Sequence, residues 1–485
     1  MKTILSAFLI AAGIVQSAIA APADNQPGAS GQPAPAPAAK PETRPGAGPF
    51  TSRPPYQDSR IAGFAKRKQI DQCTVVFLGD SITEGWNVGK AFPKLRTANR
   101  GIASDTTRGM LCRLQETVLD LNPQAIVLLG GINDLRAANN PPGTPQTIAG
   151  NVDLMLKAIQ AANPKMPVLV CETLPSSIAT PELIRETNQA VGQVVARFPQ
   201  AVRIKTHDRF LGADGARDSS LYIDGVHLNP KGYAVWQAVL DEEFARIKLQ
   251  RINTAVIPIT QGGNGYDWMA RHNDILKIKG ELNPDLVFLG DSITHHWGGL
   301  PEGRLKAGEK VLKAAFAGHR VLNLGFGSDR TQQALWRLDH GELEGLKPKW
   351  VVVNIGTNNT TDGNTAEEIM DGIKAVCERI GRQTPDARII LMSIFPRDEK
   401  AGCPRRQLID DINRRIADYA QKNGIANLDI GAKFLSDNGS IHKALMPDFC
   451  HPVEKGYQFW AEALQPLLKA GNDHKDPKDK KDDHG

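Results

Sequence analysis

The sequence has little excess of charge of either sign. Its 485 residues carry a formal net charge of +5 at neutral pH, and the lysines and arginines do not gather into a basic stripe. A nucleic-acid partner is therefore not expected. Hydrophobic residues make up 41% and charged residues 23% of the chain, which is ordinary for a soluble globular protein. The length is enough for two or three domains, each with its own core.

Long hydrophobic runs are absent beyond the amino terminus. The first twenty residues, MKTILSAFLIAAGIVQSAIA, combine Lys2 with an apolar stretch and a small-x-small site that ends at Ala20, as signal peptides do. An uncleaved membrane anchor is the alternative, but the run is short and rich in alanine for a span of about 20 residues. We predict a cleaved signal peptide at 1–20, export to the periplasm or the exterior, and no stable membrane insertion afterwards.

Cysteine is also scarce. The six residues form no C-x-x-C pair, so neither a zinc site nor a redox motif is indicated, and no metal is expected. Three fall in each half, and an odd number per half implies that some thiols stay free and buried. They are Cys73, Cys112, Cys171, Cys377, Cys403 and Cys450.

Composition divides the chain into segments. Residues 21–57 are rich in proline, alanine and glycine and lack apolar periodicity, which predicts a disordered leader. Residues 471–485 form a charged tail that is also predicted to be disordered. Between them we predict two globular domains, at 58–250 and 265–470, joined by a linker at 251–264.

The two globular regions repeat one pattern. VVFLGDSITEGW occupies residues 75–86, and LVFLGDSITHHW occupies residues 286–297. Three more pairs follow in the same order: ANRGIASDTTRGMLCRL with LNLGFGSDRTQQALWRL, AIVLLGGINDL with WVVVNIGTNN, and DGVHLNPKGYAVW with DFCHPVEKGYQFW. One interval is longer in the second copy, which predicts an insertion near 297–318. A period this long indicates a duplicated domain and not a solenoid.

Each copy alternates short apolar runs with amphipathic helical patterns. Runs such as VVFLG, VLVCETL and IILMSIF suit strands that are buried on both faces of a parallel sheet. The alternation predicts βαβ units with helices on both faces of the sheet. Ligands of such folds bind at the carboxyl ends of the strands. The four repeated segments begin there or in loops, so we expect them to converge.

Each copy contains the residue types that nucleophilic catalysis by serine needs. The serine needs a histidine base oriented by a carboxylate, and the oxyanion needs preorganised donors. Each piece has a structural alternative, because Asp and Ser cap helices and Asn stabilises turns. Finding all four in one order, twice, argues against a purely structural origin. The candidates are Ser81, Asn133, Asp224 and His227 in the first copy, and Ser292, Asn358, Asp448 and His451 in the second.

The four blocks GDSIT, G-x-x-x-D, G-x-N-[DN] and D-x-x-H, in that order, resemble those of the SGNH (GDSL-type) hydrolase superfamily. The second copy also resembles the catalytic subunits of platelet-activating factor acetylhydrolase IB, over LNLGFGSDRTQQALWRLDHGELEGLKPKWVVVNIGTNNTTDGNTAEEI. The resemblance covers both globular regions. It implies two tandem flavodoxin-like three-layer α/β/α sandwiches, each with a five-stranded parallel sheet. It also implies a serine ester hydrolase that needs no cofactor.

Carried over position by position, the resemblance makes the two serines nucleophiles, completes two triads with the Asp–His pairs, and makes the two asparagines oxyanion donors. The family's oxyanion glycine is replaced by Ser104 in the first copy and by Ser328 in the second. Only the backbone N–H is required, so serine can serve if its backbone angles are allowed. Gly101 and Gly325 lie earlier in the turn and are predicted to shape it.

Three functions are compatible with this sequence. The first is an exported serine esterase with two active sites that removes acetyl or other short acyl groups, with acetylated carbohydrate as a candidate substrate. The second is a phospholipid-directed acylhydrolase. The third is a protein in which one or both domains are non-catalytic carbohydrate-binding modules. Both copies retain every catalytic residue type, which argues against the third; the first is the leading interpretation.

One loop of the second copy, PRDEKAGCPRRQ, differs from its counterpart. Arg397, Arg405 and Arg406 form either a basic rim that favours an anionic substrate or the solvated start of a helix. Cys403 in this loop and Cys450 before the histidine suggest a further hypothesis, a disulfide that braces the histidine loop.

Overall fold

The computed structural model describes residues 45–50, 54–261, 266–303 and 306–470. The predicted signal peptide and the predicted tail lie outside the described residues. The predicted disordered leader extends too far. Residues 45–50 lie against a helix of the first domain, where the Ala47 amide donates to Asn151 Oδ1 at 3.0 Å, and a helix begins at Pro54.

Two lobes follow the order of the sequence copies, lobe 1 at residues 54–250 and lobe 2 at residues 266–470. The strands of lobe 1 are β1 (Val75–Gly79), β2 (Thr97–Gly101), β3 (Ala125–Leu129), β4 (Val168–Cys171) and β5 (Ala201–Ile204). Its helices are α1 (Pro54–Arg67), α2 (Ser81–Glu84), α3 (Val88–Ala91), α4 (Thr107–Thr117), α5 (Pro145–Ala162), α6 (Pro181–Val195) and α7 (Pro230–Arg246).

Lobe 2 repeats this sequence of elements. Its strands are β6 (Leu286–Gly290), β7 (Val321–Gly325), β8 (Trp350–Asn354), β9 (Arg388–Met392) and β10 (Ala426–Leu428). Its helices are α8 (Trp268–Leu282), α9 (Ser292–His295), α10 (Glu309–Ala315), α11 (Thr331–Asp339), α12 (Ala366–Gln383), α13 (Pro404–Asn423) and α14 (Glu454–Ala470). Short 3₁₀ helices lie at Leu119–Leu121, His207–Phe210, Ser219–Leu221, Thr254–Val256, Asn358–Thr361 and Gly431–Phe434.

Both lobes contain a five-stranded sheet, and every strand pair in it is parallel. The strand order is β2-β1-β3-β4-β5 in lobe 1 and β7-β6-β8-β9-β10 in lobe 2. The predicted fold is therefore confirmed: the two copies form tandem α/β/α sandwiches with the same topology. In lobe 1, Gly79 pairs with Gly101 on one side and with Leu129 on the other. The carboxyl ends of β1, β2 and β3 consequently lie side by side at one edge of the sheet.

The apolar runs form the middle layer because both of their faces are covered. Val75, Val76 and Phe77 are fully buried. Phe77 packs with Trp86, Phe92 and Phe244 on one face. Val76 packs on the other face, in the cluster that includes residues of α4 and α5. Burial of this kind stabilises a strand by about 25 cal/mol for each Å² of apolar surface removed from water.

The insertion predicted near 297–318 lies between α9 and β7. It contains the seven-residue helix α10, where lobe 1 has only the four-residue α3. The edge strands β2, β5, β7 and β10 were not predicted as strands. The sequence of β2, TANRG, is polar, but Arg100 on it is buried by an ion pair of 2.8 Å with Asp71. This ion pair neutralises Arg100, so the strand can be buried although its sequence is not apolar.

Candidate active sites

Each candidate nucleophile is the first residue of a short helix that follows the central strand. Asp80 and Asp291 cap these helices, each accepting the amide of the isoleucine two residues later at 2.9 Å. The capping alternative considered for Asp-Ser is therefore correct for the aspartate. Because the aspartate caps the helix, the hydroxyl of Ser81 or Ser292 remains available to face the histidine loop.

In lobe 1 the structure brings the three predicted triad residues together. Ser81 Oγ lies 3.0 Å from His227 Nε2. His227 Nδ1 lies 2.8 Å from Asp224 Oδ2. The serine and the histidine are 146 residues apart in the chain. Their meeting depends on the parallel sheet, which places β1 and the loop before α7 at the same edge.

Lobe 2 shows the same arrangement with shorter distances. Ser292 Oγ lies 2.7 Å from His451 Nε2, and His451 Nδ1 lies 2.6 Å from Asp448 Oδ2. Both distances are within hydrogen-bonding reach, and the second is slightly shorter than the usual range for an N–H···O bond. In both lobes a hydroxyl, an imidazole and a carboxylate form an unbroken hydrogen-bonded chain. A nucleophile with a base and an orienting carboxylate has this geometry.

The Asp-x-x-His spacing works through a tight turn. Asp224 uses its second oxygen to accept the amides of Val226 and His227, at 2.6 and 2.7 Å. Asp448 accepts the amides of Cys450 and His451 in the same way, at 3.1 and 2.8 Å. One carboxylate therefore folds the loop and orients the imidazole.

These hydrogen bonds keep both carboxylates ionised. The side-chain hydrogen bond with His227, followed by the backbone amides, holds the pKa of Asp224 well below its usual range. For Asp448, burial opposes the shift, but the hydrogen bonds from His451 lower its pKa overall. An ionised carboxylate favours the histidine tautomer with Nδ1 protonated, which leaves Nε2 free to accept a proton from the serine.

The two predicted oxyanion asparagines are each hydrogen-bonded to the loop that follows the first edge strand of their lobe, which is β2 or β7. Asn133 Nδ2 donates to the Asp105 carbonyl at 3.1 Å, and Asn358 Nδ2 donates to the Asp329 carbonyl at 2.9 Å. Each asparagine is thus fixed to the loop that carries the predicted backbone donor. The two amide protons of the side chain allow one to hold the loop while the other remains for an oxyanion.

Serine occupies the left-handed region at the position of the family's glycine. Ser104 has φ +62° and Ser328 has φ +63°. This conformation costs a residue other than glycine roughly 1 kcal/mol or more. Both lobes maintain it at the same place, so the backbone path of the loop is preserved without the glycine.

Gly101 and Gly325 allow a close approach of two backbone segments beside the site. Neither has a positive φ, so neither provides a left-handed turn. A Cβ atom at Gly101 would lie 2.2 Å from the amide nitrogen of Glu84, and one at Gly325 would lie 2.2 Å from that of His295. The glycines are required because the end of each edge strand passes directly against the turn after the nucleophile.

A buried arginine below each oxyanion loop was not predicted. Arg113 pairs with Asp105 at 2.8 Å and Arg337 pairs with Asp329 at 2.8 Å. Arg113 also donates to the Gly79 carbonyl at 3.1 Å, which ties the loop to the end of β1. The sequence contained a signal for this ion pair, because the arginine follows the aspartate by eight positions in both copies.

A second arginine contacts each oxyanion asparagine. In lobe 1, Arg136 Nε donates to Asn133 Oδ1 at 3.1 Å. In lobe 2, Arg397 Nη1 donates to Asn358 Oδ1 at 3.4 Å and to the Thr357 carbonyl at 3.3 Å. The arginines come from different loops, so sequence alignment of the copies does not reveal the shared contact.

The disulfide hypothesis is wrong. Cys403 and Cys450 are both free cysteines, and Cys403 Sγ lies 3.9 Å from Asp398 Oδ2. Of the two alternatives for this loop, the basic rim is largely neutralised because Arg405 pairs with Asp398 at 2.6 Å, and a solvated helix start does not describe Arg406, which is buried. Across the described ranges, no group of three His, Cys, Asp or Glu side chains is arranged to hold a metal ion.

Relatives of known sequence match a little under half of this chain. Over 221 residues, the chain is 36% identical to platelet-activating factor acetylhydrolase IB subunit alpha2 of Rattus norvegicus, covering 44% of this chain and 90% of that protein. Over 202 residues it is 33% identical to subunit alpha1 of Homo sapiens, covering 41% of this chain and 82% of that protein.

Solved structures resemble single lobes. A GDSL-like lipase from Bacteroides thetaiotaomicron is 19% identical and has a TM-score of 0.34, covering 41% of this chain and 98% of that one. An acetylxylan esterase from Geobacillus stearothermophilus is 23% identical and has a TM-score of 0.32, covering 38% of this chain and 94% of that one.

The family described as GDSL-like Lipase/Acylhydrolase matches this chain twice, at residues 77–235 and 288–459. The two matches together span more than half of the sequence, and each covers the central strand, the nucleophile and the histidine loop of one lobe. The chain therefore belongs to the GDSL-like lipase/acylhydrolase family, and it is a serine ester hydrolase.

Proposed function

We propose that the protein is an exported esterase with two active sites that removes acetyl or other short acyl groups. The observation that carries the proposal is the hydrogen-bonded chain of serine, histidine and aspartate in both lobes. A lobe that had become a binding module would have no need to maintain all three groups at these distances.

The proposed mechanism follows from the positions of these groups. Ser81 or Ser292 attacks the ester carbonyl while His227 or His451 takes its proton, and the alkoxide that forms is stabilised by the asparagine amide and the backbone N–H of the left-handed serine. The histidine then returns the proton to the leaving alcohol. Water, activated by the same histidine, releases the acyl group from the serine.

Exposure of the histidine loops supports a large leaving group. The side chains of His227 and Asp224 are 41% and 51% exposed, and those of His451 and Asp448 are 30% and 56% exposed. The leaving alcohol must lie on the histidine side, because the histidine protonates it. An open rim at that side accommodates an alcohol that is part of a polymer or of a large head group.

Acetyl is the favoured acyl group because the relatives with at least 30% identity are acetylhydrolases by name. Those names also favour a second candidate, an acetyl ester of a phospholipid. Acetylated carbohydrate remains the leading candidate, since the open rim suits it and the proposal of export places the enzyme outside the cell. Within the described ranges, every helix is too short or too polar to cross a membrane.

Single and double serine variants test the proposal. We expect Ser81→Ala and Ser292→Ala each to retain part of the hydrolysis of p-nitrophenyl acetate, and the double variant to lose it. A fluorophosphonate probe should label both serines in the parent and only the remaining serine in each single variant. Absence of label at both positions would refute the enzymatic proposal, and complete loss of activity in one single variant would show that the other site is idle.

The two substrate candidates separate in a direct comparison. Release of acetate is measured from acetylated xylan and from a short-chain acetyl phospholipid, for the parent and for both single variants. Faster release from the phospholipid at both sites would replace carbohydrate with lipid as the substrate class. Detection of the mature amino terminus after residue 20 in a periplasmic or culture fraction tests export.

A further inference from the structure

Lobe 1 touches the loops of lobe 2 that carry the proposed oxyanion donors. Arg96, which precedes β2, donates through Nη1 to the carbonyl of Asp362 at 3.2 Å and through Nη2 to the carbonyl of Ile70 at 2.8 Å. Ile70 belongs to lobe 1 and Asp362 to lobe 2. The buried guanidinium of Arg96 therefore links the amino end of the lobe 1 sheet to the edge of the lobe 2 sheet where the proposed active site lies.

Asp362 is connected directly to the donor turn. It ends the 3₁₀ helix Asn358–Thr361, whose first residue is the proposed oxyanion asparagine. Its carboxylate pairs with Arg330 at 2.6 Å. Arg330 directly follows Asp329, whose carbonyl holds the Asn358 amide. The Arg330–Asp362 pair thus closes the two donor loops of lobe 2 against each other.

Further contacts with lobe 1 and the linker surround this pair. Arg330 Nη2 donates to the Gln69 carbonyl of lobe 1 at 3.4 Å. Arg251 of the linker donates to the Gly363 carbonyl at 2.6 Å and pairs with Glu368 at 2.6 Å. The turn between Asn358 and α12 is therefore held by groups that lie outside lobe 2.

Among the described residues, no group of lobe 2 hydrogen-bonds to the corresponding positions of lobe 1. Thr106 stands at the position of Arg330, and Ala137 stands at the position of Asp362. Thr106 Oγ1 instead donates to the Pro49 carbonyl at 2.9 Å, so the preceding chain segment covers this loop. The two sites are thus supported differently, although their triads match.

We propose that Arg96 of lobe 1 is a positioning residue for the active site of lobe 2, so that the catalytic rate at Ser292 depends on contact between the lobes. The proposal rests on the function proposed for lobe 2. Arg96 fixes the carbonyl that ends the donor turn and thereby holds Asn358 at the distance an oxyanion requires. Oxyanion donors act only when they are preorganised, and a displacement of about 1 Å costs about 100-fold in rate in unfavourable cases.

The experiment uses the full chain in two backgrounds. In Ser81→Ala protein only lobe 2 turns over p-nitrophenyl acetate, and in Ser292→Ala protein only lobe 1 does. Arg96→Met is introduced into both, because methionine keeps an unbranched stem and removes the donors. We expect kcat of lobe 2 to fall about tenfold with little change in KM, and kcat of lobe 1 to stay within twofold.

Two more variants complete the test. Arg96→Lys retains a donor and should restore part of the lobe 2 rate, and Lys94→Ala, at an exposed position two residues away, should leave both rates unchanged. Equal losses in both backgrounds would show a general destabilisation and overturn the proposal, as would an unchanged lobe 2 rate. If Ser81→Ala protein with Arg96 intact has no activity, the function proposed for lobe 2 fails instead.

Discussion

The two lobes agree at the triad and differ in the turn that follows the nucleophile. The Ser–His and His–Asp distances differ by at most 0.3 Å between them. Lobe 1 continues with Glu84 and Gly85, whereas lobe 2 continues with His295 and His296. The reacting groups have therefore been kept while their immediate surroundings have changed.

The turn of lobe 1 acts through hydrogen bonds. Glu84 Oε2 accepts the amide of Ala103 at 2.6 Å, the residue before the left-handed Ser104. Its other oxygen contacts Tyr56 and Arg60 of α1. A carboxylate thus connects the nucleophile's helix, the oxyanion loop and the helix that precedes the first strand.

The corresponding turn of lobe 2 makes ring–ring contacts instead of hydrogen bonds from a carboxylate. The ring centroid of His296 lies 4.9 Å from that of His451, and the ring centroid of His295 lies 5.6 Å from that of Tyr266. Burial, assisted by the neighbouring His451, lowers the pKa of His296 to about 4. Burial likewise lowers the pKa of His295 to about 3. Both rings are neutral at neutral pH, so the imidazole of His451 packs against an uncharged aromatic ring.

The largest expected effect tests whether both lobes use their asparagine as an oxyanion donor. Asn133→Ala in Ser292→Ala protein and Asn358→Ala in Ser81→Ala protein should each lower kcat by about 100- to 1,000-fold, the cost of one lost donor. The measurement is the rate of p-nitrophenyl acetate hydrolysis at saturating substrate.

The exposed Asn423, at the end of α13, provides the matched control, since its alanine variant should keep the parent rate. A loss in one lobe only would break the equivalence of the two sites.

A smaller effect tests the His296 ring, which packs at a tilt against His451. In Ser81→Ala protein, His296→Ala should lower kcat roughly fivefold, because the imidazole of His451 loses the surface that holds it toward Ser292. His296→Phe should restore most of the rate, since phenylalanine keeps an aromatic face without a titrating group.

Labelling of Ser292 by a fluorophosphonate gives an independent readout and should follow the same order. If the alanine and phenylalanine variants behave alike, ring packing against His451 is not the function of His296, and the difference between the turns has no catalytic meaning.

The smallest effect concerns a feature that the lobes share. Burial raises the pKa of Asp80 and of Asp291 to about 7. The folded protein therefore holds protons that the unfolded chain has lost between about pH 4 and pH 7, so the contribution of these groups to stability falls as pH rises through that window. Replacement by asparagine keeps the capping oxygen and removes the titration.

Thermal unfolding at pH 5 and pH 8 measures this effect. Relative to the parent, Asp80→Asn and Asp291→Asn should each gain about 3 °C in Tm on going from the lower to the higher pH. The exposed Asp386→Asn should gain nothing. If only one of the two variants gained in Tm, the lobes would also differ in the electrostatic environment of the capping aspartate.

Most of the central fold was predictable from the sequence. Runs such as VVFLG and IILMSIF are continuous because parallel strands are covered on both faces, and the repetition of four blocks identified the candidate site residues. Strand β2 was not predictable, since Arg100 on it is buried through Asp71, a contact that no periodicity reports. The left-handed Ser104 and the close approach at Gly101 depend on tertiary packing. The contact from Arg96 to Asp362 depends on how two whole lobes meet, which local patterns do not encode.

The same contact has a consequence for assembly. Residues at the back of lobe 1 meet residues at the front of lobe 2, so the junction is heterologous, unlike the self-complementary face of a two-fold dimer. Repeated between separate copies, a contact of this kind gives a ring if the rotation closes and an open filament if it does not. Thr106 and Ala137 of lobe 1 stand where lobe 2 has Arg330 and Asp362, so lobe 1 lacks the ion pair that lobe 2 contributes to this junction.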